Sequence, residues 1–499
     1  MKLKKYLYTL IVLCTMGTFT GCSDWLDYTP KDKETEDQTF SSKQGFYTAV
    51  NGVYNRLLDD VLYGKNLTWG MLDIMGKRYE TPGRLQYTSG STTLDASIIK
   101  AYTYSDIDFV PIIEDIWEEA YSTILNINVI LDNAEQKRGS VLVESDYNLI
   151  KGDLLALRAF LHFDMLRLFG PVYSRNPDQL CIVYNDSRTA QAYPQLSARS
   201  IIYDHLIPDL NVAEKCLAEY DPVITEGPLA STVEDEDNYT RYRQLRLNYY
   251  ATILLKARVY LWAGDTENAL IEARKLTDDP QVRAWFPAVD PNTLLGNSVN
   301  PDRTFSTECL FGFYDSGRNV IFTSYFDSFN LSSSALLKPV NGYLGTLYTT
   351  ADYRYQSSWA TGSFEKYKAI ELTEEEDEDG TYPFYTYFMP LMRLSEAYYI
   401  AAECLVNTDT SAARDYLNTI LTSRGATLMS DDVSATNLLN EIKYEYMREM
   451  WGEGQTFYML KRCYQVITGV FDASISSGGT NPSDNIYVVP LPESELINR

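Results

Sequence analysis

Apolar residues recur at helical spacing over several stretches of the chain. In residues 45–62, Phe46, Ala49, Val53, Leu57 and Val61 fall on one face, and in 115–134 Ile116, Ala120, Ile124, Ile127 and Leu131 do the same. Residues 153–170 are apolar nearly all round, which predicts a helix buried among others and closed by Gly170 and Pro171. One pattern occurs twice. Aligning LLKARVYLWAGDTENALIEARKL (254–276) with YYIAAECLVNTDTSAARDYLNTI (398–420) superposes Ala257 on Ala401, Leu261 on Leu405, Asp265-Thr266 on Asp409-Thr410, and Ala269 on Ala413. Two helices joined at a short polar turn, with small residues where they cross, resemble a tetratricopeptide unit. Two copies fall short of the three or so that stabilise a solenoid, so degenerate copies are expected in the other helical pairs. The expectation is a mainly α chain of about four pairs, at 45–134, 153–217, 245–278 and 390–465.

Residues 64–110 and 280–390 have another texture, rich in Gly, Ser, Thr, Asp and Tyr with no sustained helical period. Loops this long inside a compact body are uncommon unless they are functional. They are therefore expected to form a long irregular ligand-binding face on the helical scaffold.

The formal charge of −25 repels phosphate backbones and argues against nucleic-acid binding. Beyond Cys22, the cysteines at 181, 216, 309, 404 and 463 are widely spaced and show no paired motif, so neither a zinc site nor a disulfide framework is expected. His162 and His205 are the only histidines, each in an apolar helical context that favours packing over catalysis. No GxSxG elbow, P-loop or GxGxxG is present. The acidic runs at 234–238 and 374–380 invite a calcium reading. With Glu375, Asp377, Asp379 and Gly380 in the first half of an EF-hand pattern, the closing acid should stand at 386, which is Thr386. No metal, cofactor or enzymatic activity is expected.

What remains is aromatic chemistry. The chain holds 40 Tyr against 19 Phe, and a flat ring beside an Arg or Asn suits the C–H faces and hydroxyls of a sugar. Tyr79, Tyr87, Tyr102 and Tyr104 cluster in the first irregular segment; Trp285, Tyr325, Phe326, Phe329, Tyr343 and Trp359 lie in the second. Arg78 and Arg84 flank Tyr79. A shallow site is expected with Trp359, Tyr325 and Phe326 opposed by Tyr79 or Tyr102, and Arg78 nearby.

The N-terminus carries Lys2, Lys4 and Lys5, then an apolar stretch from Tyr6 to Met16, the layout of an export signal too short to span a bilayer. Small residues then precede Cys22, as in a lipoprotein signal in which residues 1–21 are removed and the cysteine is acylated.

Taken in order from 22 to 499, CSDWLDYTP, IWEEAYSTILNINVIL, LLALRAFLHFDMLRLFGPV, RSIIYDHLIPDLNVAEKCL, LLKARVYLWAGD, MPLMRLSEAYYIAAECL, EYMREMWGEGQTFYMLKR and VVPLPESELINR resemble the SusD/RagB family of outer-membrane nutrient-binding lipoproteins. The resemblance implies one domain over 22–499, lipid-anchored at Cys22 on the cell surface of the outer membrane. It further implies an oligosaccharide or peptide ligand and a TonB-dependent channel of the SusC type as partner. Where the family carries an Arg pair and then an Arg-Trp, this chain has Tyr446, Arg448 and Gln455–Tyr458. A surface peptide binder of the same architecture, or a tetratricopeptide assembly factor with a groove on its concave helical face, are the alternatives.

Overall fold

The computed structural model describes residues 36–80, 85–189, 192–228, 231, 238–296, 300–340, 342–360, 363–372, 383–468 and 479–497. The leader, Cys22, Arg84, the run 374–380 and all but the last residue of 234–238 lie outside the described residues.

The longer helices are α1 (Lys43–Leu57), α2 (Val110–Lys137), α3 (Glu144–Phe169), α4 (Ile207–Tyr220), α5 (Tyr249–Trp262), α6 (Thr266–Thr277), α7 (Leu394–Leu405), α8 (Thr410–Ser423), α9 (Ala435–Glu449) and α10 (Gln455–Arg462). From α1 to α9 each packs against the next, and α3, α5 and α7 also meet along the stack. This is the helical-pair scaffold the repeat implied, in which each pair buries its apolar face on its neighbours. The two aligned turns use the same device. Asp265 accepts from the Asn268 N–H at 3.2 Å to cap α6, and Asp409 accepts from the Ala412 N–H at 3.0 Å to cap α8. Ala257, Ala269, Ala401 and Ala413 are fully buried, so the small residues stand where the helices cross.

Helices α3 and α4 approach closely: a Cβ on Gly152 would come within 2.6 Å of the Leu217 side chain, so any larger residue there would have to displace it. Helix α3 is buried over nearly its whole length, as its all-round apolarity predicts. Its last carbonyls, left without intrahelical partners, accept from the buried Lys461 ammonium: Arg167 O at 2.7 Å, Leu168 O at 3.2 Å and Gly170 O at 2.7 Å. Helix α1 ends at Leu57, earlier than the apolar period suggests. There the Asp59-Asp60 pair turns the chain, with the Asp59 carboxylate accepting from the Val61 N–H at 2.9 Å.

The two irregular segments contain short regular elements. The first carries a helix at Met71–Met75 and a hairpin of β1 (Gln86–Ser89) and β2 (Thr92–Asp95). In the second, β3 (Cys309–Tyr314) pairs antiparallel with β6 (Phe388–Arg393), which brings the two ends of a long excursion together. Between them lie short helices at Arg318–Tyr325, Tyr343–Leu347 and Tyr353–Ser358, and a small hairpin of β4 (Trp359–Ala360) and β5 (Ser363–Phe364). Strand β3 is a continuous apolar run, buried along nearly all its length, and has no alternation to distinguish it from loop or helix.

Buried charges lock this excursion to the scaffold. Glu449 on α9 accepts from Arg354 Nη1 at 2.7 Å, from Arg424 Nη2 at 2.5 Å and from Arg393. Arg354 also donates to Asp352 at 2.7 Å and Glu445 at 2.6 Å; Arg393 pairs with Glu453 at 2.9 Å, and Lys366 with the same carboxylate. All of these side chains are buried.

Candidate functional site

The structure brings most of the expected aromatic residues together, but inside the protein. Arg78 is fully buried, donates to Tyr343 Oη at 2.7 Å and Met447 O at 3.0 Å, and lies 3.8 Å over the Trp451 ring. Tyr79 and Phe326 are also fully buried, 5.6 Å apart between ring centres. Tyr102 is buried in a left-handed turn (φ 58°) and donates to Met75 O at 2.7 Å. Arg78, Tyr79, Tyr102 and Phe326 are thus core residues, a correction to the expectation that they line a surface site. An excursion of this length must bury its own apolar side chains, and its rings turn inward onto Trp451 because that is where they exclude water.

Trp359 is also buried, 9% exposed, edge-on to Trp451 at 4.8 Å and tilted against Phe364 at 4.9 Å, so it too is a core ring and not the surface platform expected of it. Tyr325 is half-buried; its hydroxyl accepts from Lys65 Nζ at 2.6 Å. The Lys65 ammonium stands over the rings of Tyr325, Tyr87 and Trp69 at 4.5, 4.9 and 5.7 Å. Tyr87, Tyr104 and Tyr343 are buried, Trp285 is half-buried, and Phe329 alone of the named rings stands free, 94% exposed.

An open groove of ≈ 420 Å³ does join the two irregular segments, and its lining residues Glu80, Gly342 and Leu344 adjoin the buried Tyr79 and Tyr343 in the chain. Glu80 from the first segment and Lys338 from the second form one wall, tied by Glu80 N–H to Lys338 O at 2.7 Å and by their side-chain charges at 4.0 Å. Val340, Leu344 and Tyr355 supply apolar surface; Gly342 and Gly345 supply bare backbone. Tyr79 is fully buried whereas the next residue, Glu80, is half-exposed. Likewise the Tyr343–Leu347 helix turns Tyr343 inward to Arg78 and leaves Leu344 and Gly345 on the groove side. Gly342 has φ 80°, a conformation that favours glycine, and a Cβ on Gly345 would meet nothing within 4 Å, so the groove stays open there. Tyr355 is half-buried and stacks on Tyr348 at 6.0 Å and 29°, which holds one ring while leaving part of the other exposed. Arg78 and Tyr79 therefore act from behind: they fix the two walls without touching the groove.

The groove offers a ring, a carboxylate, an ammonium and peptide edges. Among the described residues lining it there is one carboxylate, whereas glycoside hydrolysis takes a pair. The histidines lie elsewhere, stacked on either side of Tyr184 at 3.9 and 4.7 Å. Burial pushes the His162 imidazole down to about 3, so it stays neutral while it accepts from the Asn185 N–H at 2.9 Å. Sequence reasoning missed Tyr355 and Glu80. Neither carried a sequence signal: Glu80 stands in an aperiodic segment, and Tyr355 is one tyrosine among many.

Two family models match the chain: one described as SusD family over residues 333–492, and one described as starch-binding associating with outer membrane over residues 24–222. The chain belongs to the SusD/RagB family. Its fold is that of solved SusD-like proteins. A SusD superfamily protein from Bacteroides thetaiotaomicron is 21% identical, with TM-score 0.66, over 91% of this chain and 98% of that one. A SusD-like carbohydrate binding protein from Bacteroides vulgatus is 20% identical, with TM-score 0.65, over 91% and 96%. Surface glycan-binding protein A from Bacteroides uniformis is 18% identical, with TM-score 0.64, over 92% and 98%. No curated protein matches the chain. Within this SusD-like frame the groove lies wholly on the irregular segments, not on the stacked helices.

Proposed function

We propose that this SusD-like chain captures an oligosaccharide at the cell surface and delivers it, without catalysis, to a TonB-dependent channel of the SusC type. The observation that carries this reading is the groove between the two irregular segments, where Tyr355 offers a flat face beside Glu80 and exposed backbone. Membership of a family whose model is described as starch-binding supports a sugar as ligand. A sugar ring would rest its C–H face on Tyr355 while its hydroxyls donate to Glu80 and accept from Lys338. Tyr325, which is half-buried, is proposed as an outlying contact for a longer chain. So shallow a site gives weak binding, on the order of micromolar to millimolar.

Calorimetric titration with neutral oligosaccharides tests the site. Tyr355→Ala is expected to lower affinity about 5- to 100-fold, corresponding to roughly 1–3 kcal/mol, with the melting temperature almost unchanged because the ring is half-exposed. Glu80→Gln is expected to weaken binding less. Full affinity in the double variant would move the site elsewhere; binding of peptides and of no glycan would replace the ligand class.

The anchor is proposed to be a lipid on Cys22, which accounts for outer-membrane association of a chain in whose described residues no helix is long and apolar enough to cross a membrane. In Cys22→Ala, the membrane fraction after cell fractionation is expected to fall to a small residue. An unchanged membrane fraction would rule out lipidation as the anchor.

A further inference from the structure

The second irregular segment sends out a loop whose tip is not packed. The helix Arg318–Tyr325 ends at Tyr325, and the Leu337 N–H donates to Tyr325 O at 2.8 Å, so residues 326–336 form a loop closed at its foot. Leu337 adjoins Lys338 on the groove wall. The path from Lys338 through that hydrogen bond to Phe329 keeps the two Cα atoms within about 26 Å of each other. Tyr325 stands at the foot of the loop on this path.

The backbone of the tip is held while its ring is left free. The buried Asp327 carboxylate accepts from the Phe329 N–H at 3.0 Å, the Asn330 N–H at 3.2 Å and Asn330 Nδ2 at 2.7 Å, and the Leu331 N–H donates to Asp327 O at 2.9 Å. The Ser328 N–H donates to Ser363 Oγ at 3.0 Å, which ties the loop to β5. Phe329, fixed in this way, is 94% exposed. Single exposed apolar residues are common, but the surroundings of this one are unusual. Across 316–337 the only charged side chains, Arg318 and Asp327, are buried, in a chain of net charge −25. Next to the ring in the chain, Ser328, Asn330, Ser332, Ser333 and Ser334 reach solvent. Val320, the other exposed large apolar residue of this stretch, lies on the preceding helix and not on the loop.

The centre of a protein interface takes contiguous apolar surface, and one ring among hydroxyls and an amide does not supply it. A neutral sugar takes that mixture: a flat ring for its C–H face, and uncharged donors and acceptors for its hydroxyls. A backbone fixed beforehand also lowers the ordering cost of binding. We propose that Phe329 is a second sugar platform, reached by a neutral oligosaccharide long enough to leave the groove over Tyr325 and lie against the loop. This rests on the groove being the glycan site, and it makes the protein selective for long chains over short ones.

The test is calorimetry on the purified full-length mature chain with the disaccharide and the heptasaccharide of neutral α-glucan, β-glucan, mannan and xylan series, continued with the series that the wild type binds. The wild type is expected to bind the heptasaccharide about 5- to 50-fold more tightly than the disaccharide. Phe329→Ala should remove most of that difference and leave disaccharide affinity and melting temperature unchanged, because the ring packs on nothing. Phe329→Trp, which keeps a flat ring, should retain the difference, and Tyr355→Ala should weaken both lengths. Equal affinity of the wild type for the two lengths, or heptasaccharide affinity unchanged in Phe329→Ala while Tyr355→Ala weakens it, would overturn the platform and leave the groove standing. Disaccharide binding lost in Phe329→Ala but kept in Tyr355→Ala, or no binding of any neutral series, would overturn the groove and the platform together.

Discussion

Glu449→Gln is expected to destabilise the protein by about 3–5 kcal/mol at neutral pH, read as a shift in the denaturant midpoint without change of slope. Glu449 is buried, and its two oxygens face the guanidinium groups of Arg354, Arg393 and Arg424. Burial alone would push its carboxyl up; the charges of Arg393, Arg424 and Arg354 more than reverse that and hold it well below the usual carboxylate range. A neutral amide would leave three buried cations short of compensation, at a cost far beyond that of losing one surface ion pair. The sign of the pH dependence follows. The carboxylate's contribution is present above its ordinary value of 4.5 and is lost only as pH falls through the depressed folded value, so the gap between wild type and variant should narrow in acid. A loss below about 1 kcal/mol at neutral pH, or a gap that widens in acid, would show that the network does not hold the excursion to the scaffold.

Trp451→Ala should have an effect of similar size for a different reason. The ring is 2% exposed and is the common neighbour of Trp359 at 4.8 Å, Tyr343 at 5.8 Å, Tyr79 at 6.1 Å and the Arg78 guanidinium at 3.8 Å. Its removal leaves a cavity that these large, hydrogen-bonded side chains cannot close, costing about 3–5 kcal/mol. The residue does not line the groove, so at temperatures where the variant is folded its glycan affinity should fall less than that of Tyr355→Ala. Calorimetry on both variants well below their melting points makes the comparison. If Trp451→Ala abolished binding while unfolding at the wild-type temperature, the aromatic cluster would be a ligand site and not a core. Trp359→Ala, measured alongside, reports on the least buried ring of that cluster.

The sequence by itself determined the helical scaffold. Period, small residues and paired Asp-Thr turns are local properties, and each has a local physical outcome: an apolar face, a close crossing at Ala257 and Ala401, a capped N-terminus at Asp265 and Asp409. The ordered motifs also carried the family, and the structure gives one of them a physical meaning. EYMREMWGEG supplies Glu445, Glu449 and Glu453 to the charge network and Trp451 to the aromatic cluster. Which face an aromatic in an irregular segment turns to solvent was decided only by the tertiary structure. A helix or strand imposes a period from which burial can be read, whereas a turn does not. Tyr79 faces in and Glu80 out because the chain at that point pairs with Lys338, 258 positions away. Contacts of that separation leave no mark on either segment alone, and so the groove, with Tyr355 on its wall, had to wait for the packing of two distant excursions against one scaffold.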